Sequence, residues 1–151
     1  CGSMPTQFCY CRWSFVRVYL AVPIIAHRQL EKAKVMAQVI RSLGHELVST
    51  WVAGDDPGFS LPTANVFERD LGGVRNSDIL VAEVSQGSHG VGMEVMAAYF
   101  YGKRIVLLHE EGATVSHMLL GVPNALLVSY DSLRDMEAKL KSALREASSR
   151  I

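Results

Sequence analysis

The segment Val84-Ser85-Gln86-Gly87-Ser88-His89-Gly90-Val91-Gly92-Met93-Glu94 carries the densest set of chemically capable residues in the chain. It follows an apolar run that reads as a strand and opens a stretch that reads as a helix. Its three glycines and two serines allow close backbone approach to a ligand. A helix start there would aim free N–H groups and a positive dipole end at an anion such as phosphate. A plain glycine-rich turn fits the loop composition as well. Glu94 sharpens the choice, because it is the only charge between Val91 and Gly102 in a run of Val, Met, Ala, Tyr and Phe. A helix apolar on nearly all sides is buried, and a carboxylate within it is costly unless paired or hydrogen-bonded. An expected position in the first helical turn would keep it ionised. An ionised, partly desolvated carboxylate beside a ligand loop is what attack on a sugar carbon requires. The alternative is an ordinary helix-start acid.

Asp70 supports a parallel argument. It lies four residues after Val66 and four before Val74, which puts it on the buried stripe of a helix spanning Thr63–Asn76. An active site would give it a partner; so would a structural ion pair with Arg69 or Arg75, or the capping of a neighbouring loop. Two carboxylates at ligand positions suit cleavage of a glycosidic bond. One attacks the anomeric carbon while the other serves the leaving group or the sugar, a scheme that extends by analogy from O- to N-glycosides.

These residues need a frame. Five apolar runs read as strands at 16–22, 46–52, 79–84, 104–109 and 125–129, most without polar alternation. Helices are expected at 29–43, closed by Gly44 as C′ residue, then at 63–76, 91–101 and 132–148, with a weaker one at 114–120. The alternation predicts a three-layer, doubly wound five-stranded parallel sheet of the flavodoxin or Rossmann-like kind. Ligands then bind beyond the carboxyl ends of the strands, at a switch point. The loop 53–62, with Gly54-Asp55-Asp56-Pro57-Gly58, is placed to act as a lid.

Composition bounds the rest. The chain has 151 residues, 49% hydrophobic and 20% charged, with a formal net charge of +0. One domain is expected over 16–151, and no charge block points to a nucleic-acid polymer or a membrane surface. Cys1, Cys9 and Cys11 are the only cysteines, which gives neither a disulfide framework nor a zinc-like ligand set. A reducing, cytoplasmic setting is the expectation. Gly2-Ser3-Met4 has the look of a tag remnant before a start methionine, so 1–15 is set aside as tag or irregular segment.

The stretch Val81-Ala82-Glu83-Val84-Ser85-Gln86-Gly87-Ser88-His89-Gly90-Val91-Gly92-Met93-Glu94 resembles the signature of the 2′-deoxynucleoside 5′-phosphate N-hydrolases, within the nucleoside 2-deoxyribosyltransferase superfamily. The likeness runs from about Val18 to Tyr130. It implies Glu94 as the nucleophile that forms a deoxyribosyl-enzyme intermediate, Asp70 as an assisting residue at the deoxyribose, and Tyr19 beside the reacting sugar. It implies Ser88 at the 5′-phosphate, amides near Gly90 and Gly92 completing the cradle, and Ser116 reaching the phosphate from the other subunit of a homodimer. After the first strand the family reads Ser-Ile-Arg-Gly-Gly or Pro-Ile-Arg-Gly, whereas this chain reads Pro23-Ile24-Ile25-Ala26-His27-Arg28. Arg28 or His27 is then the candidate substitute for the missing arginine. Trp51, at the end of the second expected strand, offers a face on which a base could stack, or else belongs to the core. His89 and His117 lie next to the phosphate serines and are surface histidines otherwise.

The resemblance implies hydrolysis of a deoxynucleoside monophosphate without cofactor or metal. The alternatives are a transferase exchanging bases between unphosphorylated nucleosides, and a nucleotide-binding module without catalysis, for which the altered 25–27 segment speaks.

Overall fold

Strand formation follows from runs of Val, Ile, Leu and Ala long enough to cross a core and apolar on both faces. In the computed structural model, which describes residues 14–25 and 28–151, β1 is Arg17–Ala21, β2 Glu46–Leu47, β3 Ile79–Glu83, β4 Arg104–Glu110 and β5 Leu126–Tyr130. The helices are α1 (Leu30–Ser42), α2 (Thr63–Asn76), α3 (His89–Phe100), the single turn α4 (His117–Leu120) and α5 (Leu133–Ser148). The expected tag-like segment with its cysteines, apart from Ser14 and Phe15, and also His27, lie outside the described residues.

All strands pair in parallel, in the order β2-β1-β3-β4-β5. The chain leaves β1 toward one side for β2 and returns to its other side for β3, so the switch point falls between β1 and β3. Alternation along β1 splits its side chains between two cores. Val18 and Leu20 join Met36, Ile40, Leu140 and Leu144 beneath α1 and α5. Tyr19 and Ala21 join Leu80, Ala82, Val91 and Val95 beneath α2 and α3. A tyrosine one residue out of register would face the other layer.

One strand is much shorter than the sequence predicts. Residues 46–52 read as a strand, but pairing stops after Leu47 and a 3₁₀ turn, Thr50–Ala53, follows. The cause is Ser49, fully buried, whose Oγ accepts from the Leu20 amide at 2.7 Å and donates to the Leu20 carbonyl at 2.8 Å. A side chain thus takes the ladder positions that a backbone neighbour would occupy, and the chain is free to turn. The C-terminal end of α1 follows expectation. Gly44 adopts φ +80, its amide bonds the Arg41 carbonyl, and the His45 amide bonds the Ile40 carbonyl, a Schellman closure. Helix α4 is shorter than the expected 114–120. No helix of the described residues is long and apolar enough to cross a membrane.

Candidate active site

Ser88 caps α3, its Oγ accepting from the Val91 amide at 3.3 Å. The helix therefore begins at His89, two residues earlier than the sequence suggests, and Glu94 sits in its second turn. This corrects the expectation that first-turn amides keep Glu94 ionised. Burial is what governs the group: desolvation pushes its carboxyl up to about 7. The Tyr19 hydrogen bond opposes the rise, the Asp70 charge adds to it, and the Arg69 charge opposes it.

Tyr19 reaches Glu94 from the sheet, its hydroxyl donating to Oε1 at 2.6 Å. Burial, then the charges of Glu94 and Asp70, push the phenol far above its usual range, so Tyr19 remains the donor in this pair. Its ring lies under α2 because Gly73 has no side chain there. A Cβ at Gly73 would stand 2.7 Å from Tyr19 Cε2, closer than packed atoms allow.

Asp70 and Glu94 share the walls of a cleft of about 270 Å³ between α2 and α3. Apolar side chains, including Val66, Phe67, Leu71 and Met93, line the rest, and Gly90 lies along it. Such a cleft, apolar with convergent polar groups, fits a small-molecule site. A larger cleft of about 540 Å³, lined by Lys103, Arg104, Asn124, Glu146 and Arg150 among others, runs along the amino-terminal side of β4 and β5. It lacks a pair of carboxylates, and Glu146 is already paired with Arg150 at 3.2 Å. The smaller cleft is the one that brings two carboxylates together.

Asp70 faces the cleft and also has the ion pair that its sequence position allowed. It lines the cleft, and its Oδ1 accepts from Arg69 Nε at 2.8 Å. Arg75 instead reaches the Tyr101 hydroxyl. Trp51 stands behind the site rather than along it. It lies on the 3₁₀ turn, meets the Tyr19 ring edge-on at 6.2 Å between centroids, and carries the Arg69 guanidinium 4.2 Å from its own centroid.

The expected phosphate residues are less closely gathered. Ser88 is the cap, and nothing stands within 4 Å of where a Cβ would sit at Gly90 or Gly92. The Gly92 amide donates to the Ser88 carbonyl at 3.1 Å, which corrects the expectation that it is free for a phosphate. Ser116 is exposed at the start of α4 and does not line the cleft. His89 and His117 are exposed. Arg28 turns to the 52–55 loop, donating to the carbonyls of Asp55 (3.2 Å), Val52 (3.5 Å) and Gly54.

Two residues that the sequence reading did not single out prove structural to the site, Gly73 and Glu83, and Arg69, foreseen as a partner of Asp70, also reaches Trp51 and Pro57. Glu83, fully buried at the end of β3, accepts from Tyr130 at 2.8 Å and from the amide and hydroxyl of Ser85, with Lys32 Nζ at 3.6 Å. It fixes the first residues of the β3–α3 loop. Its signal in the sequence was a lone charge ending an otherwise apolar strand.

No family model matches the chain. A curated protein of Thermofilum pendens, named "Putative 2′-deoxynucleoside 5′-phosphate N-hydrolase 1", is 35% identical over 136 residues, covering 85% of this chain and 95% of that one. A protein of the same name from Methanococcoides burtonii is 34% identical over 110 residues, covering 70% of this chain and 90% of that one. Among solved structures, a 2-deoxyribosyltransferase from Bacillus psychrosaccharolyticus superposes with a TM-score of 0.60 at 25% identity, over 82% of this chain and 95% of its own. The fold, the signature around Glu94 and similarity over nearly the full length of the first relative agree: this chain belongs to the 2′-deoxynucleoside 5′-phosphate N-hydrolase family.

Proposed function

We propose that this protein hydrolyses the N-glycosidic bond of a 2′-deoxynucleoside 5′-monophosphate, giving the free base and 2-deoxyribose 5-phosphate. The observation that carries the reading is the Tyr19–Glu94 hydrogen bond of 2.6 Å in a cleft shared with Asp70. Tyr19 holds Oε1 and directs Oε2 to C1′. Attack forms a glutamyl–deoxyribosyl ester as the C1′–N pair leaves with the base, which takes up a proton. Water then attacks C1′, restores the carboxylate and returns a proton to solvent. Asp70 holds the deoxyribose in place. Ser88 and the Gly90 amide receive the phosphate at the start of α3. A second copy of the chain supplies Ser116. The exposed Met93, Phe100 and Met118 give α3 and α4 an apolar surface suited to that association. Confinement of the cysteines to the first eleven residues supports a cytoplasmic setting.

The test is release of free base from the four common deoxynucleoside monophosphates and from 5-hydroxymethyl-dUMP. Turnover that disappears in Glu94→Ala is the expected result. No release from any of them removes the hydrolase assignment. One observation favours a second reading, transfer of deoxyribose between bases: Arg28 is engaged with loop carbonyls and adds no cation to the phosphate cradle. Base exchange between deoxyadenosine and cytosine that outpaces hydrolysis would establish it.

A further inference from the structure

The Arg69 guanidinium has commitments on three sides. Nε donates to Asp70 Oδ1 at 2.8 Å, Nη2 donates to the Pro57 carbonyl at 2.8 Å, and the planar group lies over the Trp51 ring. The 54–60 loop is shaped around it. Gly58 adopts φ +125, and a Cβ at Gly58 would stand 3.0 Å from Arg69 Nη1. The loop is also stiffened from within, because the Asp56 carboxylate accepts from the amides of Gly58 and Phe59 at 2.8 and 2.7 Å. Arg28 grips its near end through the Gly54 and Asp55 carbonyls, and Arg69 grips its far end through Pro57.

We infer that Arg69 is a positioning residue that couples the seated 54–60 loop to the catalytic carboxylates, fixing Asp70 in the cleft and setting the positive field at Glu94. The inference deepens the hydrolase reading and rests on it for its kinetic consequence. Charged and titratable groups acting on Glu94 come from two elements: Tyr19 on β1, and Asp70 and Arg69 on α2. Arg69 is the cation of this set. The planar fork matters as well as the charge, since a lysine cannot stack on Trp51 while donating in two fixed directions. A loop that lifts the Pro57 carbonyl away from Arg69 removes one of the guanidinium's three anchors, and both Asp70 and the field at Glu94 change as it shifts.

The experiment follows the Glu94 carboxyl carbon by ¹³C NMR across pH in the full chain, alongside kcat and KM profiles. Arg69→Gln should raise the Glu94 midpoint by about half a unit, with a roughly threefold further loss of kcat on the acid side. Arg69→Lys should keep the midpoint nearer to wild type yet still lower kcat. Gly58→Ala, at a residue that does not line the cleft, should move the midpoint in the same direction as Arg69→Gln by crowding the guanidinium. An unmoved midpoint in a folded Arg69→Gln overturns the inference; if that variant does not fold, an unmoved midpoint in Gly58→Ala does so. Wild-type protein that releases no base would defeat the hydrolase reading alone, because the NMR titration needs no turnover.

Discussion

Glu94 answers two opposed demands. In the proposed reaction it attacks as an anion, yet the apolar wall that desolvates it lifts its carboxyl to about 7. Tyr19 eases the conflict by donating to the anion. Tyr19→Phe removes that bond and should carry the acid limb of the kcat profile upward from about pH 7, lowering the neutral-pH rate roughly tenfold with partial recovery in alkali. An unchanged limb would show that the bond does not act on the ionisation. Glu94 and Asp70 were legible in the sequence because each is a charge where helical spacing demands an apolar residue. The reason for Glu94's ionisation behaviour was not legible. It depended on where α3 begins, and a Ser88 cap moves that start by two residues. Tyr19 was available only through family resemblance, since a tyrosine in a buried strand carries no mark of its distant partner.

At the scale of elements, the site depends on how closely α2 approaches β1. Gly73 sets that distance. Gly73→Ala would add helix propensity of about 1 kcal/mol, but its methyl meets the Tyr19 ring, and overpacking costs about 1–3 kcal/mol. A small net fall in Tm is expected, with a larger loss of kcat as Tyr19 is pushed off Glu94. Thermal melts and steady-state rates on one preparation separate the two effects. Helix α2 was predicted to its last residue, because periodicity is local. The role of Gly73 was not, because it exists only across two elements 54 residues apart (Tyr19 and Gly73). The second strand failed for the same reason: residues 46–52 have strand composition, and the Ser49 hydroxyl that ends the pairing acts on Leu20.

For the whole molecule, stability against pH combines groups far apart. His45 is buried, and neither ring nitrogen has a hydrogen-bond partner among the described residues. Desolvation lowers its pKa from 6.5, so the fold favours the neutral ring. Its contribution is therefore intact above about pH 6.5 and is lost as pH falls below that unfolded value. Glu94 has the opposite sign. Its raised pKa makes the folded state hold a proton that the unfolded chain releases, so stability declines as pH rises from 4.5 to about 7. His45→Leu should flatten the acid side of a Tm–pH curve, and Glu94→Gln should raise Tm above about pH 7 while leaving it unchanged near pH 4. Curves parallel to wild type would refute both assignments. The doubly wound parallel sheet, by contrast, was expected from alternation alone, since parallel strands covered by helices admit few topologies; its strand order was not foreseen.

The two-residue β2 has a consequence for self-association. It is the outermost member of its side of the sheet, and Ser49 ends it almost at once. Almost no unpaired main chain is left there to template an incoming ribbon from another molecule. On that flank copies of this protein can meet only through helical or loop surfaces, and the fibrous stacking open to a long bare margin is closed to it there.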